Sequence, residues 1–156
     1  MAIPNKLIEF LNQNKVRYEI VHHPEAFTAQ ELAAVEHVKG KQHAKVVIIK
    51  SDGDKLMTVL PADHRVDLER LDKLTGKRTA LATETEFKAL FPDCAVGTMP
   101  PFGNLYGVDT YVERSLAEND VIVFEAGTHS DAMKMRYADF ERLAKPKVGD
   151  FAVKLH

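Results

Sequence analysis

The stretch from Val46 to Leu60 constrains the fold more than any other part of this chain. Val46-Val47-Ile48-Ile49 is a β-branched run, stiff at χ1 and suited to a pleated surface. Leu56 to Leu60 supplies a second apolar run. Asp52-Gly53 lies between the two, a pair favoured in the tight turn of a two-stranded hairpin. An antiparallel hairpin with a buried first strand is therefore predicted, and the remaining segments have to cover it.

Those segments alternate irregularly between helix and strand. Ile3, Leu7, Ile8 and Leu11 recur at helical spacing around Pro4, which a first helical turn tolerates. Tyr18 to Val21 reads as a short strand. Thr28 with Glu31 is a capping-box pattern that opens a helix through Leu32, Val35 and Val38, closed by Gly40. Another helix is predicted over Val66 to Leu74, ending before Gly76. Thr83 with Glu86 is a second capping box, and its helix carries Phe87, Leu90 and Phe91 up to Pro92. Strands are predicted at Thr110 to Val112, Val121 to Phe124 and Met133 to Tyr137, and a last helix from about Asp139 to Ala144. This order favours an α+β fold: a mixed sheet flanked by helices, in a single domain spanning residues 1–156.

The chain has 156 residues, 45% hydrophobic and 28% charged, which is a globular composition with room for a core. Cys94 is its one cysteine, so no intramolecular disulfide is possible and a reducing compartment is the natural reading. The N-terminal stretch lacks a signal-peptide pattern, and no window approaches the roughly 20 apolar residues of a membrane helix. A cytoplasmic protein without membrane attachment is expected. The net charge of −2 argues against coating a long nucleic-acid backbone but allows a grip on the end of an RNA. Lys39, Lys41, Lys45, Lys50 and Lys55 crowd into one basic stretch, which by default is a solvated face.

The histidines lack the spacing of a metal-binding helix, and His22 and His23 point to opposite faces of a strand, so no metal is expected. There is no Gly-x-Ser-x-Gly elbow and no dinucleotide or phosphate-loop glycine pattern, so neither a serine nucleophile nor a cofactor is expected. Cys94 reads as a small buried apolar residue. The Gly97-Thr98-Met99-Pro100-Pro101-Phe102-Gly103 loop stands out. Its prolines stiffen it and its glycines permit close backbone approach, so it could aim several N–H groups at one point or serve as a rigid connection. Gly127-Thr128-His129 follows a predicted strand, where a histidine can move a proton, bond a ligand or lie on the surface. Lys45 stands at the start of the hairpin strand, within reach of a phosphate or carbonyl unless it snorkels to solvent.

Several short motifs occur in the order found in one family. They are Thr28-Ala29-Gln30-Glu31 through Glu36-His37-Val38, Ala44-Lys45-Val46-Val47, Val59-Leu60-Pro61-Ala62 and Arg65-Val66-Asp67-Leu68. Phe91-Pro92-Asp93-Cys94, the Gly97 to Gly103 loop and Ala126-Gly127-Thr128-His129 follow. From about Ile3 to Lys145 the chain resembles the YbaK family, whose fold is shared with the editing insertion domain of bacterial prolyl-tRNA synthetase. The resemblance implies a partly closed mixed sheet flanked by helices. It also implies hydrolysis of the ester joining an amino acid to the terminal adenosine of a tRNA.

Lys45 matches the family's active-site lysine, and Gly97 with Pro101 its Gly-x-x-x-Pro loop. His129 matches the histidine of the Gly-Thr-His version of the last motif, closer to the alanyl-tRNA deacylase and synthetase-insertion branch than to the cysteinyl-tRNA branch. Lys45, Gly97 and His129 are therefore the expected catalytic residues. Thr98, Met99, Pro100, Pro101, Gly127 and Thr128 are the expected substrate contacts. Val38-Lys39-Gly40 stands where the family has Val-Pro-Gly, which bears on local tRNA contacts.

The implied substrate is a tRNA acceptor end carrying a small wrong amino acid, with tRNA-Pro a candidate and an aminoacyl-tRNA synthetase a further candidate partner. An aminoacyl ester is already activated, so its hydrolysis needs positioning and charge stabilisation more than a protein nucleophile. Loop N–H groups from Gly97 would hold the carbonyl, Lys45 the nucleotide or carbonyl side, and His129 the ligand or a water. The neighbouring ribose hydroxyl could assist, and Leu32, Val35 and Val47 are the expected apolar walls. The rival is a non-catalytic tRNA- or synthetase-binding module of the same fold, which would be marked by loss of Lys45 or of the loop. Hydrolysis of a free small ester or amide is a third reading, and it leaves the basic stretch unexplained.

Overall fold

The computed structural model describes residues 2–23 and 40–155. The helix expected from Thr28 to Val38, with Leu32 and Val35, lies outside them.

The hairpin forms as its residues require. Strands β2 (Ala44–Ser51) and β3 (Asp54–Pro61) pair antiparallel from Ala44↔Pro61 to Ser51↔Asp54. Asp52 and Gly53 both take positive φ, 48° and 88°, the turn whose twist matches the flanking strands. β5 (Thr79–Leu81) adds antiparallel to β2, β6 (Asp109–Glu113) joins β3 in parallel, and β9 (Lys147–Gly149) continues in parallel beyond it. Together they make a mixed five-stranded sheet. β1 (Tyr18–His22), β8 (Asp131–Arg136) and β7 (Val121–Glu125) form a second, antiparallel sheet in that order. β4 (His64–Val66) and β10 (Ala152–Lys154) form a two-stranded ribbon. A parallel bridge between His43 and Val123 joins the start of β2 to β7, with the Val123 N–H donating to the Gln42 carbonyl at 3.2 Å. Helices α1 (Asn5–Gln13), α2 (Leu68–Thr75), α3 (Glu84–Phe87) and α4 (Tyr137–Ala144) flank these sheets, an α+β architecture as expected.

The period of the strands divides the core in two. Ile48, Met57, Val59 and Val112 turn into the main core with Leu7 and Leu11 of α1, Ile122 and Phe124 of β7, and Phe140 of α4. Ile49, Leu56, Leu60 and Tyr111 face the other way, onto Leu71 of α2, Phe151 and Ala152. Both faces of the hairpin are covered, which is why it reads as continuous apolar runs and not as alternation.

The structure moves several boundaries. α2 begins at Leu68, not Val66, because the Asp67 side chain accepts the Arg70 N–H as an N-cap and Val66 is drawn into β4 by Ala152. The strand expected to reach Tyr137 stops at Arg136. Tyr137 starts α4 two residues before the expected Asp139, and its N–H bonds the Asp120 carbonyl at 2.9 Å. The Thr83–Glu86 capping box makes both of its hydrogen bonds, but α3 is a single turn that passes into a 3₁₀ turn at Lys88–Leu90. The short strands β4, β5, β9 and β10 had no local signal. Among the described residues, no helix is long and apolar enough to cross a membrane.

Candidate active site

The proline-rich loop is held from beneath by Phe102. Its fully buried ring meets Phe10, Phe124 and Phe140 edge-on, with centroids 6.0, 5.9 and 5.6 Å away. Each such contact contributes about 0.5–1.5 kcal/mol beyond the area it buries. Pro100 and Pro101 are buried as well. At the start of the loop, Thr98 folds back on Ala95, its N–H and hydroxyl reaching the same carbonyl at 3.1 and 2.6 Å. Gly97 carries φ of +83°, a left-handed conformation that costs any residue with a side chain.

The Gly127 turn is stitched to this loop. Gly127 N–H donates to the Thr98 carbonyl at 2.8 Å, and Ala95 N–H to the Gly127 carbonyl at 2.9 Å. A Cβ on Gly127 would stand 2.5 Å from Cδ of Pro4, so the N-terminal segment can pass here only over a glycine. Thr128 is buried. Its hydroxyl donates to Asp131 at 2.7 Å and accepts the Ser130 N–H at 3.2 Å. His129 sits half-buried in the same turn.

A pocket of about 130 Å³ lies between the loop and the start of β2, lined by Ala44, Lys45, Val46, Gly97, Met99 and Glu125. It brings together Lys45, Gly97 and Met99 from distant parts of the sequence. Thr98, Pro100, Pro101, Gly127, Thr128 and His129 are not among its lining residues; Thr98 and Gly127 brace it through their mutual hydrogen bond. Val47, expected as a wall, packs against the second core. Among the described residues, the Gly97 and Met99 N–H groups donate to no backbone carbonyl.

The Lys45 ammonium lies 3.5 Å from the Ala62 carbonyl. Burial lowers its pKa below the usual lysine value, opposed in part by the nearby Asp63 carboxylate. Fully buried His43 is held down to about 4, chiefly by burial, so it is neutral at physiological pH. Glu125 ends β7 and is 8% exposed. Sequence reasoning passed over it. The signal was a carboxylate closing the apolar run Val121-Ile122-Val123-Phe124, directly before Ala126-Gly127.

Cys94 lies near this site without the surroundings of a nucleophile. Its thiol is 3.4 Å from the Tyr106 hydroxyl and 3.6 Å from an Asp93 carboxylate oxygen. Burial pushes its pKa up to about 11, the Tyr106 contact opposing and Asp93 adding to the rise. At pH 8 the group is overwhelmingly the thiol, the unreactive form. Native protein is therefore expected to resist iodoacetamide at pH 8, and Cys94→Ser should keep turnover within a few fold. Rapid alkylation with loss of turnover, or a trapped acyl-thioester, would contradict this.

Comparison with known proteins gives a consistent pattern. Residues 23–143 match the profile of the family described as the aminoacyl-tRNA editing domain. The multifunctional Ser/Thr-tRNA deacylase ProXp-y of Escherichia coli is 27% identical over 152 residues, which cover 94% of this chain and 90% of that protein. The prolyl-tRNA editing protein ProX of Acetoanaerobium sticklandii is 21% identical over 170 residues, which cover 97% of this chain and 96% of that protein. Among solved structures, a hypothetical protein superimposes with a TM-score of 0.87 at 20% identity, over 96% of this chain and all of that one. A protein provisionally assigned as a trans-editing enzyme for prolyl-tRNA synthetase gives 0.82 at 20% identity, over 95% of each chain. At that identity the structures speak to the fold.

Proposed function

The chain belongs to the aminoacyl-tRNA editing domain family, and we propose that it is a trans-acting deacylase that hydrolyses the ester of a mischarged tRNA. The observation that carries this reading is the meeting of the half-buried Lys45 with Gly97 and Met99 around one small pocket. Water adds to the ester carbonyl, the bond to the ribose oxygen breaks, and the free amino acid leaves as that oxygen takes a proton. The Gly97 and Met99 N–H groups stabilise the charge that grows on the carbonyl oxygen. Lys45 holds the terminal nucleotide or the carbonyl side, and His129 orients the ligand from the turn behind the loop. A pocket of about 130 Å³ suits a small side chain and penalises a bulky correct one.

The relatives named above are a Ser/Thr-tRNA deacylase and a prolyl-tRNA editing protein, which makes tRNA-Pro one candidate tRNA and a synthetase a candidate partner. The work would be done in the cytoplasm, where tRNAs are charged. The test is a panel of mischarged tRNAs with free aminoacyl esters as controls. Rapid release of a small amino acid from tRNA is expected. Binding without release would favour a non-catalytic module, and equal turnover of the free esters a general esterase.

A further inference from the structure

We propose that Glu125 recognises the α-ammonium group of the aminoacyl ester, so that the site selects a substrate with a free, charged amine; this rests on the deacylase reading above. The placement comes from two strands. In β7, Ile122 and Phe124 enter the main core, which leaves Val123 and Glu125 on the opposite side. The bridge at Val123 pairs in parallel with His43. Two residues further along each strand, Lys45 and Glu125 come level, and both line the pocket.

The composition of the lining gives Glu125 its role. Among the described lining side chains Lys45 is a cation, Glu125 an anion, and Ala44, Val46 and Met99 are apolar. An aminoacyl ester presents a carbonyl, a small side chain and, one carbon from the carbonyl, an amine whose pKa is near the 7.7–8.0 of an α-amino group. The donors suit the carbonyl and nucleotide, the apolar surfaces suit the side chain, and the carboxylate matches the ammonium.

The test compares the mischarged tRNA that wild type hydrolyses fastest with its α-hydroxyacyl counterpart, made by nitrous acid deamination and nearly identical in shape. Glu125→Gln should lower kcat/KM roughly 10- to 100-fold on the aminoacyl substrate, the loss of a charged hydrogen bond. On the hydroxyacyl substrate the loss should be several-fold smaller, since a neutral hydroxyl bonded to the carboxylate lacks the attraction between opposite charges. Equal losses on both, or none on the aminoacyl substrate, would overturn the inference and leave the deacylase reading standing. Should the variant fail to fold, wild type alone decides, because its KM must be higher for the hydroxyacyl substrate; equal KM values overturn the inference. Wild type inert on every aminoacyl-tRNA would sink both readings together.

Discussion

Lys45→Ala is expected to lower single-turnover deacylation by roughly 10²- to 10³-fold, the usual effect of removing one group that stabilises a transition state. The fold should survive. The side chain is half-buried, and its hydrogen bond to the Ala62 carbonyl, at 3.5 Å, is weak. The same residue sets an alkaline limit. Burial lowers the pKa of the Lys45 ammonium, so it loses its proton at a lower pH than an exposed lysine would. If the charged form acts, the enzymatic rate, corrected for spontaneous hydrolysis, should fall as pH rises through that value. Lys45→Arg keeps its charge throughout the accessible range. It should lower the rate, because the guanidinium has a different shape, but remove the alkaline fall. A Lys45→Ala protein that turns over every substrate at the wild-type rate would show the site to be elsewhere.

Gly97→Ala separates an enzyme from a binding module. Among the described residues a Cβ at Gly97 meets nothing within 4 Å, so a clash with them is not the source of damage. The backbone is. At φ +83° an alanine is strained by about 1 kcal/mol or more, and relief would shift the N–H groups of Gly97 and Met99 off their common target. In the proposed mechanism those groups serve a charge that appears only in the transition state, so the loss should fall on the chemical step. Single-turnover hydrolysis should drop roughly 10²- to 10³-fold, while the Kd for uncharged tRNA stays within about threefold, a free-energy change well under 1 kcal/mol. Weaker binding with a spared rate would show that the loop holds RNA and does no chemistry.

The elements whose structure depends on their own residues are legible in the sequence. The hairpin turn at Asp52-Gly53, the Thr83–Glu86 cap and the strands around Thr110 and Val121 follow from local backbone preference and apolar periodicity. Both signals lie within a few residues of where they act. The loop from Gly97 to Gly103 and the position of Lys45 at a strand end were visible for the same reason. Tertiary structure decided the rest. Val66 belongs to a strand because Ala152 pairs with it, and no local pattern names a partner so distant. Glu125 became a candidate only when a single bridge between His43 and Val123 brought β7 level with β2. The rigidity of the loop likewise comes from Phe102 seated among Phe10, Phe124 and Phe140. A chain states what each residue prefers locally, whereas a pocket is an agreement among residues far apart in sequence, reached only when the core closes.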